Sequence, residues 1–125
     1  MIIGIGIDLI EVNRIKESID KYGTRFLNKI FTENEQAYSD QFGVKKYVHY
    51  AARFATKEAF SKAIGTGVTQ GFKFKNIAIK NIEFGKPILE LHDEMLERYG
   101  HLKSHISLTH TDTNAAAVVV LEDIN

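Results

Sequence analysis

Arg53-Phe54-Ala55-Thr56-Lys57-Glu58-Ala59-Phe60-Ser61-Lys62-Ala63 is the stretch on which the reading of this chain turns. Ala, Lys and Glu are strong helix formers, and neither Pro nor Gly interrupts the run before Gly65. It therefore reads as the middle of a long helix from about Lys46 to Ile64. Tyr47, Ala51, Phe54 and Glu58 fall on one stripe at i, i+4, i+7 and i+11, so a carboxylate continues an apolar line. Lys62 lies one turn after Glu58, and Arg53 one turn before Lys57. One acid among three bases, beside small alanines that permit close approach, suits a wall holding a cation and a polyanion. A helix with two ordinary ion pairs carries the same pattern.

Ahead of this helix, residues 2 to 8 alternate. Ile3, Ile5 and Ile7 share one face of a strand, which is expected to be core; Ile2, Gly4, Gly6 and Asp8 share the other. That second face is mostly bare backbone ending in an acid, which suits close approach by a ligand or another element. Equally, the glycines receive a packed helix and Asp8 caps the next turn. Gly4-x-Gly6 is not a dinucleotide fingerprint, because no third Gly opens a helix. Asn13 is expected to cap a helix bearing Ile15, Ile19 and Tyr22, stopped by Gly23. Thr24 is expected to cap a short helix with Phe26, Leu27 and Ile30. Thr32-x-x-Glu35 is a capping box opening a third helix, which runs to about Gln41 before Gly43.

After the long helix, Gly65-Thr66-Gly67 is a stop, and a polar loop runs to Gly71. Ile77 and Ile79 alternate as a strand, whereas Ile82 and Phe84 take the other parity, so a bulge is expected near Asn81. Gly85-Lys86-Pro87 is a turn, and Ile88 to Leu91 return as a second strand. Asp93 to Tyr99 is a short helix closed by Gly100. Ile106 and Leu108 face one way, and His105, Ser107 and Thr109 the other. After a polar turn at Thr111 to Asn114, Ala115 to Leu121 is apolar on both parities, the mark of an interior strand. The pattern predicts one α+β domain over residues 1–125, a mainly antiparallel sheet against a long central helix and shorter N-terminal helices.

Sixteen basic residues balance sixteen acidic ones in 125 residues, so no global field draws the chain to nucleic acid or to a membrane surface. There is no Cys, hence no thiol chemistry, and a reducing cytoplasm is the expected setting. Met1-Ile2-Ile3-Gly4 has no basic segment ahead of an apolar run, so no secretion signal is expected. No apolar run approaches membrane-spanning length.

Asp8 and Glu58 stand out as isolated carboxylates beside glycines or cations. With oxygen ligands only, Mg²⁺ is the expected guest, since it takes one or two protein carboxylates and completes its shell with waters and substrate phosphates. Arg53, Lys57, Lys62 and His105 would then meet phosphate oxygens. Spacing alone does not bring Asp8 to Glu58, and a lone strand His such as His105 is more often a hydrogen-bonded filler. His49, His92 and His101 have no metal-ligand spacing, and Ser107 lacks a neighbouring base and acid for nucleophilic work.

Six segments together resemble bacterial holo-acyl-carrier-protein synthase, the small single-domain type of 4′-phosphopantetheinyl transferase. They are Gly4-Ile5-Gly6-Ile7-Asp8-Leu9-Ile10-Glu11, Phe31-Thr32-Glu33-Asn34-Glu35, the helical stretch quoted above, Gly65-Thr66-Gly67, Gly85-Lys86-Pro87, and His105-Ile106-Ser107-Leu108-Thr109-His110. The resemblance covers essentially the whole chain. It implies transfer of 4′-phosphopantetheine from coenzyme A to a serine of apo-acyl carrier protein, in support of fatty acid biosynthesis. It implies Mg²⁺ held by Asp8 and Glu58, with Lys62 beside them steadying charge on the leaving side. Proton removal from the serine falls to Glu58 or to water at the metal. Arg53, Lys57 and Lys62 would contact coenzyme A phosphates, His105 would sit near the 3′-phosphate, and Gly65, Gly85, Lys86 and Pro87 would line the nucleotide pocket. Arg14, Lys16 and Arg25 match the docking surface for the acidic carrier protein, and the family forms a ring-like homotrimer with active sites between subunits. One departure is that residues 44 to 50 lack an Arg and offer Lys45 and Lys46 instead. The rivals are a non-catalytic module that binds coenzyme A or a nucleotide, and a structural trimer-forming domain.

Overall fold

The structure is a computed structural model that describes residues 1–69 and 72–125. Its axis is helix α4, Lys46–Ala63, and most residues of that helix are buried. A helix buried on nearly all sides needs small residues where backbones cross, which Ala51, Ala52, Ala55, Ala59 and Ala63 supply. Strand β1 (Ile2–Glu11) precedes three short helices, α1 (Val12–Tyr22), α2 (Thr24–Ile30) and α3 (Glu33–Asp40). After α4 come β2 (Ile77–Asn81), β3 (Pro87–Leu91), α5 (Asp93–Tyr99), β4 (Lys103–His110) and β5 (Asn114–Glu122). The architecture is α+β, as expected. The sheet order is β1-β5-β4, antiparallel throughout, with β2-β3 as a separate hairpin. Among the described residues no helix is long and apolar enough to cross a membrane. The expected polar loop ends at Gln70 and Gly71, which lie outside the described residues.

Gly4 and Gly6 fix how the sheet meets α4. A Cβ at Gly4 would stand 2.0 Å from the carbonyl oxygen of Ala63, and one at Gly6 1.9 Å from that of Ala59. Only bare backbone admits the helix at this distance. Ala117 and Val119 on β5 and Ile106 on β4 share this inner face by register, and Ala117 and Val119 join the core with Ala59 and Phe60.

This reverses one expectation. The Ile3, Ile5, Ile7 face is not core: these residues are 51%, 65% and 67% exposed, and Leu9 is 71% exposed. Because strand side chains alternate, seating the glycines on α4 turns the isoleucines outward. Ile5 is paired with Val120, and Val120 with His105, so His105 also lies on this outer face.

Local punctuation differs in three places. Asn13 does not cap α1; it lies in the first turn and its Nδ2 donates to Glu17 Oε1 at 3.1 Å. The helix start is met instead by the Val12 N–H donating to the Thr113 carbonyl at 2.9 Å. Nor does Thr24 cap α2, because Gly23, at φ +57°, already holds the cap position. The expected bulge near Asn81 is absent: pairing runs unbroken from Ile77↔Leu91 to Asn81↔Pro87, and Ile82 N–H continues it to the Lys86 carbonyl at 2.9 Å. Phe84 breaks parity because it lies in the turn itself, at φ +60°. The capping box at Thr32 and Glu35 forms as expected.

Candidate active site

Asp8 lies on the inner side of β1, paired with Ala117, and Glu58 lies on the part of α4 that this strand crosses. The glycines one and two residues-pairs earlier in β1 bring strand and helix together, so two acids distant in sequence face one cleft. That cleft, of about 460 Å³, is lined by Asp8 and Glu58 with Arg14, Lys21, Tyr22 and Phe54. Burial pushes the Glu58 carboxyl above its ordinary range, and the charge of Asp8 pushes it further; Lys62 and Arg14 pull the other way. A carboxylate made costlier to ionise by a second carboxylate beside it marks a place where a cation is stabilised.

Lys62 already supplies one positive charge. Its Nζ donates to Asp8 Oδ1 and to the Ile7 carbonyl, both at 2.9 Å. Gly65 follows at the end of α4, its N–H donating to the Lys62 carbonyl at 3.0 Å with φ +87°, a conformation that glycine adopts without strain. Among the described residues no cluster of three or more His, Asp or Glu could hold a metal. The donor set is thus two hard oxygens, which fits Mg²⁺, an ion content with one or two protein carboxylates, and does not fit a softer metal.

Two basic residues are not where a phosphate could reach them. Lys57 is fully buried, and its ammonium donates to Glu35 Oε1 (2.7 Å), the Ile30 carbonyl (2.7 Å) and the Phe74 carbonyl (3.1 Å). All three of its donors are engaged, so the expectation of a phosphate contact is replaced by a structural one. Glu35 completes the knot, accepting from the Ile79 N–H at 3.0 Å. Sequence reading missed this pair, although Lys57 follows Thr56 and falls between the buried alanines Ala55 and Ala59, a setting that points inward. Arg53 is 3% exposed, donates to Asn81 Oδ1, and lies 4.0 Å over the Tyr38 ring. Asn81 Nδ2 in turn donates to the Gly85 carbonyl at 2.9 Å, so Arg53 steadies the β2–β3 turn.

Of the remaining site residues, only Arg14 lines the Asp8–Glu58 cleft among the described residues. Gly85, Lys86 and Pro87 lie at the β2–β3 hairpin, and His105 lies on the outer face of β4 with Nε2 3.0 Å from Glu122 Oε1. On α1, Arg14 and Lys21 rim the cleft, but Lys16 is two residues around the helix from Arg14 and points elsewhere. It pairs with Asp20 at 3.7 Å and borders a larger, open cavity of about 1210 Å³ that also touches Lys45 and Lys46. Lys16 is therefore not part of one face with Arg14. That larger cavity holds neither Asp8 nor Glu58, so size does not mark the chemistry here. Arg25 lies on α2 and is exposed.

Comparison with known proteins agrees with this fold. The 4′-phosphopantetheinyl transferase superfamily matches residues 4–119. Holo-[acyl-carrier-protein] synthase of Maridesulfovibrio salexigens is 49% identical, over 98% of this chain and 99% of its own length. The crystal structure of a holo-(acyl-carrier-protein) synthase from Bacillus anthracis, in complex with CoA (3′,5′-ADP), superposes with a TM-score of 0.83 at 41% identity, covering 98% of both chains. That of Neisseria meningitidis superposes with a TM-score of 0.85 at 35% identity, covering 98% of this chain and 99% of the other.

Proposed function

The chain belongs to the 4′-phosphopantetheinyl transferase superfamily, as an enzyme of the holo-acyl-carrier-protein synthase kind, and we propose that it transfers 4′-phosphopantetheine from coenzyme A to a serine of apo-acyl carrier protein. The serine oxygen forms a new bond to the phosphorus that carries pantetheine. The bond from that phosphorus to adenosine 3′,5′-bisphosphate breaks, and the serine loses its proton. The product would serve fatty acid biosynthesis in the cytoplasm.

The observation that carries this reading is the meeting of Asp8 and Glu58 in one cleft with Lys62 beside them. Asp8 and Glu58 would hold Mg²⁺, which when bound neutralises charge on the diphosphate and polarises it. Lys62 is near enough to Asp8 to meet negative charge that develops on the departing bisphosphate. Glu58, its proton affinity raised by burial and by Asp8, is suited to accept the serine proton where it is not engaged with the cation. Positioning does much of the remaining work, and the β1–α4 contact provides it.

Assembly belongs to the same proposal. The outer face of the sheet carries Ile3, Ile5, Ile7 and Leu9 uncovered, a contiguous apolar ladder of the kind that marks an interface. A ring-like homotrimer would cover it and bring His105, on that face, toward the next copy. Gly85, Lys86, Pro87 and His105 lie outside the Asp8–Glu58 cleft of one chain, which supports a coenzyme A site shared between subunits. Arg14 at the cleft rim, with Arg25 on α2, would guide the acidic carrier protein.

The test is to incubate the protein with coenzyme A, Mg²⁺ and an apo carrier protein, then weigh the carrier by mass spectrometry. The expected gain is one phosphopantetheine, lost when Glu58→Gln replaces the native protein. Binding of coenzyme A with no mass gain would make the chain a binder and overturn the reading.

A further inference from the structure

Lys62 is the only group in direct contact with Asp8 among the described side-chain ion pairs. It is held there by a second hydrogen bond to the Ile7 carbonyl. Asp8 is largely enclosed, its side chain 15% exposed, whereas that of Lys62 is 49% exposed. The ammonium thus covers an inward carboxylate from the solvent side, on a four-carbon stem with room to move. A divalent cation held by Asp8 and Glu58 would draw on the same Asp8 carboxylate, one of whose oxygens Lys62 already occupies, and it would be repelled by the ammonium beside it.

We propose that Lys62 is a resident counter-ion that competes with the divalent cation for Asp8, so that metal entry requires its ammonium to swing away. The inference rests on the metal reading above and deepens it. In the metal-free chain the lysine compensates a carboxylate that would otherwise stand beside a like charge, which stabilises the β1–α4 contact. An incoming diphosphate offers the ammonium a new anionic partner, so substrate and cation favour one another's binding.

The experiment measures Mn²⁺ binding to the full chain, in the absence of coenzyme A, by the electron paramagnetic resonance signal of the free ion. Native protein is compared with Lys62→Met, Lys62→Gln, Lys62→Arg and Asp8→Asn, each checked for folding by circular dichroism. Lys62→Met and Lys62→Gln should bind Mn²⁺ at least about threefold more tightly at low ionic strength, the scale set by a partly exposed ion pair. Added salt should narrow the difference. Lys62→Arg, which keeps the charge, should stay near the native affinity, and Asp8→Asn should lose most of the binding. If Asp8→Asn weakens binding while neither neutral variant at position 62 tightens it, the counter-ion role is overturned and the metal reading stands. If Asp8→Asn leaves Mn²⁺ binding unchanged, the metal reading falls, and this inference with it.

Discussion

Gly6 touches the backbone of Ala59: a methyl group on its α-carbon would stand 1.9 Å from the Ala59 carbonyl oxygen, far inside van der Waals contact. That approach is what holds Asp8, two residues on in β1, opposite Glu58, one residue before Ala59. Gly6→Ala should push α4 off the strand, lower stability by about 3 kcal/mol, and open the cleft. Urea unfolding gives the first effect, and transfer activity of the surviving fold, expected to fall more than tenfold, gives the second. A variant of native stability and activity would mean that strand and helix can part freely.

Lys57 should behave as a structural residue. Lys57→Met leaves the Glu35 carboxylate buried without its partner and should cost about 3–5 kcal/mol. Lys57→Met with Glu35→Gln should be less damaging than the single change, because the amide carries no uncompensated charge and can still accept from Ile79. The folded fraction of the double variant should keep the native KM for coenzyme A. A large rise in that KM would restore Lys57 to the phosphate site.

Glu58 should be a residue that trades stability for function. Its carboxyl is raised in the folded state, by burial first and by Asp8 second. A raised carboxyl contributes its stability below the unfolded-state pKa, about 4.3, and loses it as pH climbs through the folded value. At neutral pH with a chelator present, Glu58→Gln should therefore raise Tm slightly while abolishing transfer. The gain should vanish below the ordinary carboxylate range. Thermal melts across this pH window check the sign; a lower Tm at neutral pH would show that Glu58 is compensated.

The outer face of the sheet should govern assembly. Ile5→Glu puts a charge into the exposed ladder of Ile3, Ile5, Ile7 and Leu9, at a position opposite Val120. Sedimentation velocity should show the native chain as a trimer and the variant as a monomer, with transfer lost if the site is shared. A monomeric native chain would leave this face to another partner.

Arg14 should act on one substrate more than on the other. It rims the cleft beside Glu58, and Arg14→Glu reverses a rim charge. The KM for the acidic carrier should rise roughly tenfold or more, and that for coenzyme A much less. Equal rises would move the docking surface elsewhere.

The sequence told most where local rules decide. The capping box at Thr32 and Glu35, the uninterrupted α4 and the doubly apolar β5 all formed as read, because each is set by neighbours in the chain. It misled where tertiary contact decides. Alternation in β1 distinguished two faces but not which one is inner, since bare glycine and isoleucine can each be the packed side. Asn13 lost the cap of α1 to the Thr113 carbonyl, a partner distant in sequence. Lys57 looked like a phosphate ligand because its spacing from Arg53 and Lys62 was visible, while its partner Glu35 lies in another helix. The meeting of Asp8 and Glu58 came from resemblance and not from spacing.

The most direct test of the account is anomalous diffraction from crystals grown with coenzyme A and Mn²⁺. The account predicts one peak per active site, bonded to a carboxylate oxygen of Asp8, one of Glu58 and an oxygen of the diphosphate. A peak that touches neither carboxylate, in any pairing of subunits, would contradict it.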